Sequence, residues 1–307
     1  MNPKIHIIIL NWNGFSDTLE CLESLRKIEY DNYDVVVVDN NSSGDDVKII
    51  KEKFGDFVKE IIVAKDNLGF SGGNNLGIKY SLNNSTDFIL LLNNDTVVEP
   101  DFLGKLLDSF GSNENVGIAA PKINYYDNPD IVWTAGGKIS KIRGSGFAYS
   151  DKKESEIENK EKVVTFASGC CLLIKREVFE KAGFFDEKFF LYVEDTDFCY
   201  RTVKAGYKII VSPHSKIFHK IGRSVSIDLK QLPLYYTTRN RLFFAKKNFY
   251  GFHLITTIYI FTTMLYKTFF WMIKGKTKNI TAVKNAFHDF FRDNMGKTNT
   301  EELLVNK

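Results

Sequence analysis

The sequence predicts an α/β protein: a mostly parallel sheet flanked by helices, followed by a C-terminal helical appendage. Three observations carry this expectation. Runs of Val, Ile and Leu alternate with helical patterns through the first hundred residues, as in parallel strands buried on both faces and joined by right-handed crossovers. The runs end on polar residues, which a parallel sheet delivers to one edge, where open α/β folds bind ligands. The length of 307 residues, 44% apolar and 26% charged, suits one large folded domain with an appendage.

In order, "KIHIIILNW" (Lys4 to Trp12) is a first strand. "SDTLECLESLRKI" is a helix, with Leu19, Leu22 and Leu25 at helical spacing behind a Ser16/Asp17 cap. "DVVVVDNNS" is a second strand ending on Asp39, and "EIIVAKDNLGFSGGNNLG" reads as strand, Gly-rich turn and helix start. "DFILLLNND" is a fourth buried strand running into Asn93, Asn94 and Asp95. "VGIAAPKINYY" and "DIVWTAGGKIS" are further strands, and the charged stretch Ser150 to Lys162 reads as a mobile surface excursion. Leu232 to Ile273 is helical by length and pattern, and no internal repeat is visible.

Composition removes several function classes. A net charge of +3 over this length gives no basis for nucleic-acid binding. Cys21, Cys170, Cys171 and Cys199 lack Cys-x-x-Cys spacing, so reduced cytosolic thiols are expected rather than zinc ligands. The N-terminal apolar run is too short for a signal-peptide core and reads as a strand. The glycines at 69, 72, 73 and 77 match neither a dinucleotide fingerprint nor a P-loop.

Four acidic strand or loop ends remain: Asp39, Asp66, Asp95 and the cluster Glu194, Asp195 and Asp197. Any one alone is a cap or a turn, but four in one alternating fold point to a site. "NND" at 93 to 95 resembles the Asp-x-Asp motif with which glycosyltransferases hold a divalent metal against a nucleotide diphosphate. Mg²⁺ or Mn²⁺ takes one or two protein carboxylates and completes its shell with substrate phosphates. Glu194, Asp195 and Asp197 open a helix running to about Ala205, where acids suit the macrodipole, yet three acids exceed what a cap requires. One of Glu194 and Asp195 is expected to face the cleft and the other to enter local hydrogen bonds. Among five histidines, His6, His214, His253 and His288 read as structural. His219 stands in a His-x-x-Gly-x-Ser stretch with Gly222 and Ser224, suited to fold over a diphosphate, and its imidazole suits a metal.

Taken in order, "IIILNWNG", "VVVVDNNSSGD", "NLGFSGGNNLG", "LLLNNDTVVEPDFL", "GCCLLIKREVFEKAGFFDEKFFLYVEDTDFCYR" and "HKIGRS" resemble family 2 glycosyltransferases of the GT-A fold, in the rhamnosyltransferase-like branch. The resemblance covers roughly residues 4 to 245. It implies a Rossmann-like GT-A catalytic domain over 1–225, with a nucleotide-sugar half over about 1–100 and an acceptor half over about 101–225. Residues 226–307 would form the helical, membrane-associated segment. By the same resemblance Asn11 and Asp39 contact the base, and Asp66, Asn67, Gly73 and Asn74 line the nucleoside pocket with Asn93 and Asn94. Asp95 and His219 bind Mg²⁺ or Mn²⁺, and Asp195 is the catalytic base. Glu194, Asp197 and Arg239 serve the acceptor or the structure. Asn93 stands where the full motif has Asp, which loosens the inference of metal dependence.

The implied reaction is inverting transfer of one sugar, leaning to L-rhamnose from dTDP-rhamnose, with UDP-hexoses as the alternative donors. The implied partners are a nucleoside diphosphate sugar and a glycan or polyprenyl-diphosphate-linked acceptor in cell-surface polysaccharide synthesis. Location would be cytoplasmic, peripheral on the inner face of the membrane. Phe252 to Ile273 approaches spanning length but holds His253, Lys267 and five Thr. A membrane-surface helix pair is therefore expected, with Lys246, Lys247, Lys274, Lys276 and Lys278 toward anionic headgroups. The soluble alternative is packing on the catalytic domain or a homodimer face. Two other classes compete: a nucleotidyltransferase, which would need a basic Gly-rich loop where "NWNGFSDT" has none, and a non-catalytic sugar-nucleotide binder.

Overall fold

The structure is a computed structural model that describes residues 2–111, 115–221 and 231–299. Gly222 and Ser224, half of the His-x-x-Gly-x-Ser stretch, lie outside the described residues. The first half alternates as the sequence predicts: β1 (Ile5–Asn11), α1 (Phe15–Leu25), β2 (Tyr33–Asp39), α2 (Asp46–Phe54), β3 (Val58–Val63), α3 (Gly69–Asn83) and β4 (Phe88–Asn93). These four strands run parallel in the order β3-β2-β1-β4, and their register aligns Asn11, Asp39 and Val63 at one edge.

The second half contributes β5 (Thr96–Val98), α4 (Phe102–Gly111), β6 (Val116–Tyr125), β7 (Ile131–Thr134), β8 (Gly137–Ser140), β9 (Ser145–Ala148), β10 (Lys152–Lys153) and β11 (Lys162–Val164). Then follow β12 (Cys171–Lys175), α5 (Arg176–Ala182), α6 (Glu194–Lys204) and β13 (Lys208–His219). β12 inserts antiparallel between β4 and β6, and β13 runs parallel to β6 and antiparallel to β5. "DIVWTAGGKIS" is two strands rather than one, and the second, β8, pairs with β9 in a separate sheet. The 150–162 stretch lies on the surface but is anchored: β10 pairs with β7, and Glu154 accepts from Lys122 Nζ (2.5 Å) and Asn124 Nδ2 (3.0 Å).

The sheet separates two apolar layers. Ile5, Ile7, Leu90 and Leu92 face a core with Leu22, Leu25, Ile50 and Phe102, while Ile8, Ile89 and Leu91 face one with Ile78, Val178, Phe179 and Phe198. The alternation follows from the two-residue period of a strand, and each such side chain fully buried contributes roughly 1.5–3 kcal/mol. The Gly-rich segment is mostly helix. α3 begins at Gly69, and a Cβ on Gly73 or Gly77 would lie 2.4 Å from Leu10 Cδ1 or 2.6 Å from Ile8 Cγ2. Their absent side chains let the helix pack directly on β1.

The expected helical C-terminal stretch is two helices broken at Gly251, α7 (Leu232–Asn248) and α8 (His253–Ile273), and α9 (Thr277–Phe291) follows. Leu242, Phe244, Ile260, Met264, Val283 and Phe290 form a third core that also takes in Phe189 and Val193, immediately before α6.

Candidate active site

The ends of β1 and β2 build the first corner. Asp39 is buried, its Oδ1 accepting from Asn11 Nδ2 (2.8 Å) and Ser42 Oγ (2.6 Å), and its Oδ2 from the Ser42 N–H (3.0 Å). A carboxylate offers about four acceptor positions, so one on Oδ2 is left for an incoming donor. Asn11 is turned into the fold. It is fully buried, its amide nitrogen also reaching Asp46 Oδ2 (3.0 Å) and its oxygen accepting from Thr18 Oγ1 (2.7 Å), so it orients Asp39. Asp46 in turn accepts the Gly14 and Phe15 N–H groups at 3.1 Å. It satisfies the start of α1 in place of the expected Ser16/Asp17 cap.

The neighbouring Asn40, missed in the sequence, holds the next loop. Its Nδ2 donates to Asn67 Oδ1 and Gly69 O, both at 3.1 Å, and its Oδ1 accepts the Leu68 N–H (2.9 Å). Asp66 lies exposed on this loop. Gly73 and Asn74 sit inside α3 instead of a turn, where Asn74 Nδ2 bonds back to Phe70 O (2.9 Å). Asn94 Nδ2 donates to Thr18 Oγ1 (3.0 Å), tying the end of β4 to α1.

Asp95 and His219 meet because of strand register. β5 pairs His219 opposite Thr96, one residue from Asp95, and the Lys220 N–H donates to Asp95 O (2.9 Å). His219 Nε2 stands 3.1 Å from Asp95 Oδ1, with Trp133 packed against the imidazole at 4.7 Å. Burial opposes a charge on this imidazole, but Cys170 and the Asp95 carboxylate outweigh it and raise its pKa to about 10. With the imidazole protonated, the two groups form an ion pair. The pair supplies one oxygen and one nitrogen donor, a set that fits Mn²⁺ or Mg²⁺ completed by substrate phosphates. Among the described residues no cluster of three His, Cys, Asp or Glu could hold an ion by itself. Lys220, also missed, is buried against Asp17 (2.8 Å) and Glu20 (2.6 Å) and fastens the end of β13 to α1.

Asp195 joins this corner through backbone. Its Oδ2 accepts the Gly169 N–H (3.1 Å), and the next residue, Cys170, gives its carbonyl to the Asn93 N–H (2.9 Å). Oδ1 accepts the Thr196 N–H at 2.6 Å. Burial raises the Asp195 pKa and these N–H groups partly lower it again. Glu194 is buried with Oε2 lacking a hydrogen-bond partner, and burial beside Asp195 holds its carboxyl well above the usual range. The expected division of roles is thus altered: Asp195, partly exposed, makes the local hydrogen bonds, while Glu194 is buried. Asp197 is structural, accepting from Arg201 Nε (2.7 Å), Lys247 Nζ (3.0 Å) and Asn248 Nδ2 (2.8 Å).

The approach to α6 is strained. Phe190, Tyr192 and Val193 have φ of 62°, 67° and 75°, the left-handed region that costs side-chain-bearing residues energy, most of all a β-branched one. Asn240 of α7 holds them there: its buried amide donates to the carbonyls of Phe189 (2.8 Å), Leu191 (2.9 Å) and Tyr192 (2.8 Å). Arg239 is buried too, donating to Tyr235 Oη (3.1 Å) and Gly296 O (2.8 Å) between the rings of Tyr235 and Tyr236. It is a packing residue of the helical segment, so the acceptor role is not supported. A cavity of about 350 Å³ lined by Ala135, Tyr149, Ile157 and Val211 lies under the 150–162 excursion and includes none of the residues above.

Strand-end carboxylates and an oxygen-nitrogen donor pair thus lie at the ends of the strands of this sheet. The profile of Glycosyl transferase family 2 matches residues 6–183, more than half of the chain, and the chain belongs to that family. It is 29% identical over 262 residues to the dTDP-rhamnosyl transferase RfbF of Shigella flexneri, covering 81% of this chain and 82% of that one. It is also 29% identical over 153 residues to the N-acetylglucosaminyl-diphospho-decaprenol L-rhamnosyltransferase of Mycobacterium tuberculosis, across 46% of this chain and half (50%) of that one. The mannosyltransferase PcManGT of Pyrobaculum calidifontis, solved with GDP-Man and Mn²⁺, superposes with a TM-score of 0.60 at 11% identity, over 95% of this chain and 88% of that one. The fold is thus that of the GT-A glycosyltransferases, and the chain is rhamnosyltransferase-like.

Proposed function

We propose that the protein transfers one sugar, L-rhamnose from dTDP-L-rhamnose, to a hydroxyl of a glycan or polyprenyl-diphosphate-linked acceptor, with inversion at the anomeric carbon. The observation that carries this is the chain of contacts linking Asp195, through Gly169 and Cys170, to Asn93, two residues before the Asp95 that pairs with His219. The similarity to two rhamnosyltransferases supports the donor, and the second of them, by its name, supports a lipid-linked acceptor.

In this reading the remaining acceptor position of Asp39 takes the imide N–H of thymine, which uracil shares, so the base alone does not select the sugar. Asp95 and His219 would hold the divalent ion, which when bound offsets the charge of the departing diphosphate. Asp195 removes the proton from the acceptor hydroxyl as that oxygen bonds to the anomeric carbon and the bond to the diphosphate oxygen breaks. Burial makes it a stronger base than a solvated Asp. The domain division follows the same reading: 1–225 catalytic, 226–307 an appendage that supports it.

The test is release of nucleoside diphosphate from a panel of dTDP-, UDP- and GDP-sugars, with Mn²⁺, Mg²⁺ or EDTA, with and without acceptor. Metal-dependent release from dTDP-rhamnose is expected. Asp195→Asn should lower kcat by about 10²- to 10⁴-fold with donor binding kept. Absence of both turnover and donor binding across the panel would overturn the assignment.

A further inference from the structure

We propose that the outward face of α8 docks on an anionic membrane surface, lying in the headgroup plane. The helix is inside out by the standard of a soluble protein. Its fully buried positions are only Thr256, Ile260 and Met264. Leu254, Ile258, Phe261, Leu265, Phe269 and Met272 recur at steps of three and four, and each is between 54% and 63% exposed. That spacing places them in one stripe along the helix, a contiguous apolar surface that a solitary soluble domain does not leave in water. Tyr266, Phe270 and Trp271 stand beside the stripe, residue types suited to the headgroup boundary.

Charge selects the occupant. Residues 229–288 contain ten Lys and Arg and no Asp or Glu. Some of those cations are used inside the fold: Arg239 is buried, and Lys247, expected to face headgroups, is instead paired with Asp186 (2.7 Å) and Asp197 (3.0 Å). Lys267, Lys274, Lys276, Lys278 and Lys284 remain exposed on α8, α9 and the turn between them. A second copy meeting this face across a two-fold axis would set these lysines against their own counterparts. A bilayer carrying anionic lipid accepts the stripe and complements the lysines together, each worth about fivefold in affinity near the surface. Among the described residues no helix is long and apolar enough to cross a membrane, which fits a helix embedded to about 5–10 Å. α7 joins this face to the loop before Asp195, so docking would hold the proposed base beside a lipid-linked acceptor; only that last consequence rests on the sugar-transfer reading.

The experiment is flotation of the full chain with vesicles of phosphatidylcholine alone and with phosphatidylglycerol mixed in, beside Ile258→Glu/Leu265→Glu and Lys274→Ala/Lys276→Ala. The altered residues are exposed, and equal melting temperatures would confirm intact folds. The wild type should float with the anionic vesicles only. The glutamate pair should abolish this, and the alanine pair should lower partition by roughly thirtyfold. No flotation with anionic vesicles, or flotation indifferent to the glutamate pair, overturns the proposal. A dimer in light scattering that the glutamate pair dissolves, without vesicle binding, would assign the face to a second copy instead. Donor hydrolysis is read in solution, so either result leaves the proposed reaction standing.

Discussion

The two acidic corners of the site are built in opposite ways. Asp39 sits at the end of an unstrained parallel strand, and its neighbours Asn11, Ser42 and Asp46 all come from the first 46 residues. Asp195 follows a loop with three left-handed, side-chain-bearing residues, and that loop is pinned by Asn240 from a helix 48 to 51 residues further on. The first corner is a property of the βαβ unit. The second depends on contacts from the C-terminal helices, through the three carbonyls that Asn240 of α7 holds.

The strongest test of that difference is Asn240→Ala. It leaves three carbonyls without their donor and releases a strained loop, so stability should fall by about 3 kcal/mol or more, read by denaturant unfolding. At temperatures where the variant stays folded, kcat should drop while donor KM stays near wild type, because the Asp39 corner is untouched. Equal loss in donor binding would erase the distinction between the corners. Gly69→Ala probes the seam between them, since Gly69 has φ of 69° and a Cβ there would lie 2.2 Å from Phe190 O. A loss of about 2–3 kcal/mol is expected. Gly73→Ala should cost less, because its obstacle is the movable end of Leu10. Asn11→Ala is the mirror experiment: about 2 kcal/mol of stability, a raised donor KM and a nearly unchanged kcat.

The smallest effect is a slope. Glu194 has a folded pKa raised by burial, so the native state keeps a proton that the unfolded chain releases near ~4.3. The stability this contributes is complete below that value and is lost as pH rises through the raised pKa, at up to about 1.4 kcal/mol per pH unit. Glu194→Gln keeps the shape of the protonated acid and should flatten that slope in melting curves taken across pH. An unchanged slope would mean that Glu194 is ionised in the fold.

Legibility in the sequence tracked the range of the interaction. Strand-end acids such as Asp39 and Asp95 were visible because a buried apolar run ends beside them. The first Asn of "DNN", Asn40, carried the same signal. The glycines of α3 read as a turn because glycine disfavours helix interiors, and tertiary contact with Leu10 and Ile8 overrode that preference. Lys220, Asp46 and Asn240 had no local signal, because their partners lie 31 to 203 residues away on other elements.

By itself the sequence determined the alternating parallel sheet, the family, the Asp95 strand end and the acidic start of α6, since each rests on periodicity or on adjacent residue types. Only the tertiary structure decided that Asn11 is an internal strut, that Lys247, Asp197 and Arg239 are fasteners rather than contacts for ligand or membrane, and that α8 turns its apolar stripe outward. The physical reason is common to all of these. Which face of a helix is buried, and which partner a charge finds, depends on elements far along the chain, whereas a two-residue or a 3.6-residue period is already written in neighbouring positions.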